Sequence, residues 1–263
     1  MLYPAKKGVP QFEAYEFHDK KSDSCLLIPI INEGERIIAE LTRAKNAGVD
    51  SLCDIIICDG DSSDSSTESE SLKALGVNTL LVKKDTGKQG AQLRMGIWFA
   101  LQRGYKNVLT IDGNNKDSIE SVSLFIEKLN AGYDFVQGSR YIAGGKAINT
   151  PLSRHLAVRL IHAPVISKIA GEKFTDTTNA FRGYSAAYLL HPDVHPLRDI
   201  FITYELLAYL SVRASQLGLK TCEVPVTRAY PEKGKTPTKI SPIKGNWNLL
   251  KILWRLSQGR FNP

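Results

Sequence analysis

The chain of 263 residues carries 34 Lys+Arg against 27 Asp+Glu, a formal net charge of +7, with 43% hydrophobic residues. That length builds a proper core for one large α/β domain, or one domain with an appendage, and no stretch approaches the roughly 20 apolar residues of a membrane span. The positive balance favours anionic partners such as phosphorylated substrates or acidic lipid surfaces and is densest toward the carboxyl end, from Arg228 to Arg260.

In chain order, Met1 to Lys21 is polar and mixed in charge, without an apolar signal core, and residues 1–24 read as an amino-terminal extension of a cytoplasmic protein. Residues 25–31 form an apolar strand ending at Asn32, and Glu33 to Ala47 spaces Ile37, Ile38, Leu41 and Ala44 as a helix, with Gly48 as its cap. Strand 52–58, a short helix at 67–75, strand 79–83, helix 88–103, strand 107–111, helix 117–131 and strand 134–138 follow. This alternation predicts βαβ units with right-handed crossovers. Beyond Gly138 the rhythm breaks: helices at 153–170, 185–190 and 203–217 flank short strands near 180–184 and 220–227. Cys25, Cys53, Cys58 and Cys222 lie in or beside these strands without metal-ligand spacing and read as reduced, buried residues.

Two strand ends concentrate the chemistry. Ile55-Ile56-Ile57-Cys58 runs into Asp59-Gly60-Asp61-Ser62-Ser63-Asp64, and Val108-Leu109-Thr110-Ile111 runs into Asp112-Gly113-Asn114-Asn115. An unbroken apolar run suits a parallel strand buried on both faces, and the carboxyl end of such a strand is where open α/β sheets bind ligands. Two acidic loops there suit a nucleotide whose phosphates are reached through a divalent cation. Read singly, Asp112 to Asn115 also suits a plain turn, and Asp61 and Asp64 suit helix N-caps.

Together these segments resemble the inverting nucleotide-sugar glycosyltransferases of family 2, in particular their polyprenyl-phosphate branch. The resemblance rests on Ile28-Pro29-Ile30-Ile31-Asn32-Glu33, the Asp59–Asp64 loop, Gly90-Ala91-Gln92-Leu93-Arg94, Asp112-Gly113-Asn114, Gly138-Ser139-Arg140-Tyr141, Ser153-Arg154 and Asp176-Thr177-Thr178-Asn179-Ala180-Phe181-Arg182. It implies a GT-A fold, a mostly parallel sheet flanked by helices. Residues 25–138 would form the nucleotide-binding half, 139–227 the acceptor half, and 228–263 a basic loop with an amphipathic carboxyl-terminal helix.

It further implies site residues: Pro29, Asn32, Glu33, Asp59, Asp61, Gly90, Arg94, Asp112 and Gly113 for the nucleotide; Arg140, Arg154, Arg182 and Lys235 for the acceptor or its phosphate. Asp112 and Asn114 would hold Mg²⁺ or Mn²⁺, although Asn114 replaces the family's second carboxylate; Lys116 offers an alternative neutraliser. Glu205 is the candidate general base for a hydroxyl acceptor, and Asp176 the second catalytic candidate. The expected reaction transfers one sugar, with inversion, to a polyprenyl phosphate or a lipid-linked or free glycan. A nucleotidyltransferase and a non-catalytic, anion-binding scaffold are the alternatives; nucleic acid is not the expected partner. Trp247, Leu250, Trp254 and the basic Lys251 and Arg255 suit a helix lying on a membrane surface, and equally one packed on its own domain or on a second subunit.

Overall fold

The computed structural model describes residues 2–3, 6–232 and 244–263, so Lys235 and most of the basic loop lie outside the described residues. A nine-stranded sheet organises them, in the spatial order Leu2–Tyr3, Phe12–Glu16, Val77–Lys83, Asp54–Asp59, Ser24–Ile30, Asn107–Thr110, Arg182–Ser185, Phe135–Ser139 and Thr221–Pro225. The four strands from Val77–Lys83 to Asn107–Thr110 are mutually parallel. Arg182–Ser185 runs antiparallel between Asn107–Thr110 and Phe135–Ser139.

The apolar runs explain the burial. Asp54–Asp59 and Val77–Lys83 are buried at every position, because helices cover both faces of the sheet. One core joins Leu27, Ile56 and Cys58 to helices Gln89–Gln102, Ala163–Ala170, Glu205–Gln216 and Lys244–Ser257. The other joins Ile28, Ile55 and Ile57 to helices Glu35–Asn46 and Val122–Asn130. All four cysteines are free thiols, three of them buried.

Three elements depart from the expected pattern. Phe12–Glu16 pairs antiparallel with Val77–Lys83, and the fully buried Phe12 stacks on Tyr3 at 4.7 Å, so the amino-terminal segment belongs to the sheet rather than trailing from it. The helix expected at 153–170 contains a π-turn at Val158–His162, between Leu152–Ala157 and Ala163–Ala170. Pro164, which has no N–H to donate, accounts for that local widening. The strand expected at 220–227 is two strands: Thr221–Pro225 closes the main sheet, while Thr227–Ala229 pairs in parallel with Lys146–Ile148 in a second, two-stranded sheet.

Parallel strands with Ser24–Ile30 at the centre place a topological switch point between Ser24–Ile30 and Asn107–Thr110. The loops after these strands, and after Asp54–Asp59, open at one edge of the sheet. If the amino-terminal strand is integral, Phe12→Ala will lower unfolding free energy by about 3–5 kcal/mol. Urea denaturation checks this; a change below about 1 kcal/mol would mark the strand as an appendage.

Candidate active site

The first acidic loop is built by hydrogen bonds to its own backbone. Asp59, nearly fully buried, accepts from the Asp61 and Ser62 amides at 2.9 and 2.8 Å and from the Ser62 hydroxyl at 2.5 Å. Burial outweighs these bonds and pushes its carboxyl above the usual range. Asn32 and Asp61 have φ of +48° and +73°, the left-handed region that Asn and Asp tolerate better than most residues. The Asn32 side chain accepts from the Ser63 amide at 2.8 Å, and the Ser62 hydroxyl accepts from the Asn32 amide at 2.8 Å, which locks the two loops together. Asp64 caps the short helix at Ser65–Thr67 by accepting from the Ser66 amide. Asp61 is exposed and pairs with Lys84 at 3.0 Å. Beneath them the buried Gln92 donates to the Ile30 and Cys58 carbonyls at 2.6 and 2.8 Å, fixing the spacing of the strands that carry Pro29 and Asp59.

The second loop carries the charge. Asp112 is partly exposed, and both its oxygens are engaged: Oδ1 accepts from Gln89 at 3.0 Å, and Oδ2 from Arg228 at 3.1 Å. Burial alone would raise its pKa, but Arg228 and Lys116 outweigh it and hold the carboxyl below the usual range. Gly113 is required by close packing, since a Cβ there would lie 2.5 Å from Ile30 Cγ2. Gly90 is held by the same constraint, with the Phe201 carbonyl 2.5 Å from a Cβ, so it serves the contact between helix Gln89–Gln102 and the segment before Glu205.

Asp117 was expected to open a helix. It lies instead in an isolated antiparallel bridge with Arg228, fully buried, its Oδ2 bonded to the same guanidinium, and the helix begins only after a 3₁₀ turn at Ile119–Ser121. A buried charge without a partner is costly, which explains the detour. Glu40 also lies below this loop, fully buried, accepting from the Asn115 amide at 2.7 Å. Burial, with Asp117 and Asp112 adding to it, pushes its carboxyl well above the usual range. Lys116 is buried, and its pKa falls to about 8 because burial and the Arg228 charge disfavour its ammonium. Tyr230, with Lys116, Arg154 and Arg228 around its ring, accepts from Arg154 at 2.9 Å.

The remaining expected site residues sit in the framework. Arg140 and Asp176, assigned from the sequence to different roles, pair with each other in the interior through Nε at 2.6 Å and Nη2 at 2.9 Å. Arg182 is buried and donates to the carbonyls of Asn179, Leu207 and Thr177. Arg94 donates to the carbonyls of Phe201 and Gly8. Of the three arginines expected to meet the acceptor phosphate, Arg154 alone reaches the Tyr230 cluster. Glu205, at the first position of helix Glu205–Gln216, accepts from the Thr203 amide and hydroxyl at 2.5 and 2.8 Å. Glu33 sits at the mouth of the switch point, where it pairs with Arg36 at 2.8 Å. Gln89 and Tyr230 had no signal of their own in the sequence; Arg228 stood there only as one basic residue among several.

For a divalent ion this set is poor. Asn114 Oδ1 is buried without a hydrogen-bond partner and offers one neutral oxygen. Asp112 already shares its charge with a guanidinium, and no group of three or more His, Cys, Asp or Glu side chains converges among the described residues. Alone these residues supply too little anionic oxygen for an all-protein cage; Asp112 and Asn114 would hold such an ion only together with phosphate oxygens of a bound ligand.

The sheet order, the strand-end loops and the flanking helices are those of a GT-A glycosyltransferase fold. No family model matches the chain. It is 27% identical over 212 residues to the undecaprenyl-phosphate mannosyltransferase of Micrococcus luteus, covering 80% of this chain and 85% of the relative. It is 25% identical over 236 residues to the polyprenol monophosphomannose synthase of Mycolicibacterium smegmatis, covering 89% and 85%. The crystal structure of glucosyl-3-phosphoglycerate synthase from Mycobacterium tuberculosis with Mn²⁺, UDP and glucosyl-3-phosphoglycerate superposes with a TM-score of 0.58 at 16% identity, over 89% of this chain and 76% of that one. The chain thus resembles the polyprenyl-phosphate branch of family 2, as its motifs imply.

If the buried pair holds the acceptor half together, Asp176→Ala will strand the Arg140 charge and cost about 3–5 kcal/mol in chemical denaturation. Replacing both, Arg140→Met with Asp176→Leu, should recover most of that loss. A double variant as unstable as the single one would refute the pairing as the cause.

Proposed function

We propose that this chain transfers one sugar, with inversion, from a nucleotide-diphosphate sugar to a polyprenyl phosphate. The observation that carries the reading is the meeting at one sheet edge of a partly exposed carboxylate, Asp112, with the Lys116, Arg228, Arg154 and Tyr230 cluster. This couples a strand-end nucleotide site to basic groups from the second half of the chain. The names of the two mannosyl-transferring relatives support the donor and acceptor classes.

In this reading the interlocked loops at Asn32 and Asp59–Asp64 receive the nucleoside, with Asp59 shaping the loop and Asn32 and Asp61 exposed at its mouth. Gln89 and Arg228 orient Asp112 beside the diphosphate. The acceptor phosphate, already ionised at pH 7, attacks the anomeric carbon opposite the leaving diphosphate in one displacement, so it requires no base. Glu205, fixed by Thr203, then orients the sugar rather than taking a proton. Asp176 acts at a distance by holding Arg140.

The reading also places the chain against a lipid surface. No helix among the described residues is long and apolar enough to cross a membrane. Two helices, however, expose apolar stripes: Leu152, Leu156 and Leu160 on one, and Trp247, Leu250 and Trp254 on the other, with Leu152 and Trp247 each 72% exposed. Arg159, Lys168, Lys251 and Arg260 are exposed on or beside these helices, which suits an anionic interface.

Two assays test this. Incubating the chain with candidate nucleotide sugars and a polyprenyl phosphate should give a glycosylated lipid phosphate of inverted anomeric configuration. Asp112→Ala should reduce the rate by at least about a hundredfold, since it removes a group that orients the departing charge; an unchanged rate would dismiss Asp112 from the site. Co-sedimentation with vesicles containing anionic lipid should fall sharply in a Trp247→Glu, Trp254→Glu variant, and equal sedimentation would mean that the carboxyl-terminal helix does not face lipid.

A further inference from the structure

Building on the lipid-acceptor reading above, we propose that Arg159 and the Tyr141 hydroxyl, together with Arg154, form a binding site for the phosphate of a lipid head group. Tyr141 follows directly on the strand Phe135–Ser139, and its amide donates to the Ser139 hydroxyl at 3.0 Å, which fixes where the side chain departs. The ring then meets the helix Leu152–Ala157 and its continuation. His155 touches it edge-on with centroids 5.2 Å apart, and the Arg159 guanidinium carbon lies 6.0 Å from its centre. Arg140 approaches the same ring to 5.2 Å. The hydroxyl oxygen at the end of this ring is buried without a hydrogen-bond partner among the described residues. An unbonded buried hydroxyl costs about 1–3 kcal/mol, so a group that accepts its proton is favoured there.

The surrounding charges decide what that group is. Arg140 is matched by Asp176 at 2.6 Å, but neither Arg154 nor Arg159 has a carboxylate partner among the described residues. Arg154 spends Nη1 on the Tyr230 hydroxyl at 2.9 Å, while its Nε and Nη2 bond nothing among the described residues. Arg159 is exposed and lies within the π-turn Val158–His162, an irregularity that recurs at functional sites. Two guanidinium forks and a hydroxyl supply directional donors to the oxygens of a phosphate. The same stretch of chain says what the phosphate is attached to. Leu152, Leu156 and Leu160 are exposed beside the two arginines. A phosphate with an apolar tail satisfies the arginines and covers the leucines together, as at a bilayer interface, whereas a free phosphate leaves the leucines in water.

Titration calorimetry of the full chain in EDTA tests the site with two soluble probes. Hexyl phosphate is a monoester, like a polyprenyl phosphate; dihexanoyl phosphatidylglycerol is a diester, like a bilayer lipid. At least one should bind. Arg159→Gln and Tyr141→Phe, which change an exposed side chain and a single oxygen, should each weaken that binding about tenfold, the size of one lost charge-assisted bond. Arg159→Lys should recover part of the loss. A loss confined to hexyl phosphate supports the inference and assigns the site to the acceptor; one confined to the diester supports it and assigns the site to a bilayer lipid. Lys73→Gln makes the same charge change on the helix Ser69–Ala74 and should leave the affinity within about twofold. Equal weakening there would reduce the effect to overall charge and overturn the inference. Full affinity in either Arg159→Gln or Tyr141→Phe would also overturn it, and a loss confined to Arg154→Gln would then leave the acceptor reading standing. Failure of both probes to bind the unaltered chain would overturn the acceptor reading and this inference with it.

Discussion

A carboxylate sealed inside a protein must find a positive partner, and in this chain that requirement organises the site. Asp117 has no exposed surface. Its partner, Arg228, comes from more than a hundred residues further along the chain, and the same guanidinium turns its second amino group to Asp112. One side chain therefore fixes a buried acid and a partly exposed one at once. The helix after Asp117 starts late because of it, and Thr227–Ala229 leaves the main sheet to reach it. The desolvation of a single carboxyl has set the course of two segments.

Around this centre the protein separates rigidity from chemistry. Gln92 pins the ends of two parallel strands, and Arg140–Asp176 and Arg182 brace the loop between residues 176 and 182 from within. These groups are polar, buried and paired within the protein, and they hold the shape of the loops around them. The groups left at the mouth, Asn32, Asp61, Gln89 and Asp112, sit in loops whose backbone geometry is already settled by hydrogen bonds. A site of this kind meets its ligand with little reorganisation, which lowers the cost of ordering on binding.

The sheet was legible where burial on both faces leaves a run of Val, Ile and Leu, as in 55–58 and 108–111; the acidic loops followed directly from those runs. The strand Phe12–Glu16 was not legible, because an antiparallel strand near an edge has one wet face and carries Glu13, Tyr15 and Glu16 among its residues. Arginine roles were harder still. Nothing local separates an Arg that binds phosphate from one that ties down carbonyls, since Arg140 meets Asp176 across 36 residues and Arg182 meets Leu207 across 25. The motif order located the loops that meet at the carboxyl ends of the parallel strands, while the partner of each charge inside them was a property of the tertiary fold alone.

The three-residue strand Thr227–Ala229 is gripped along both edges, by Lys146–Ile148 on one side and by Lys116 to Ser118 on the other. Such a strand has no slack. It joins the stretch around Ile148, edge to edge, to the loop that follows Asp112, with Arg228 at the seam.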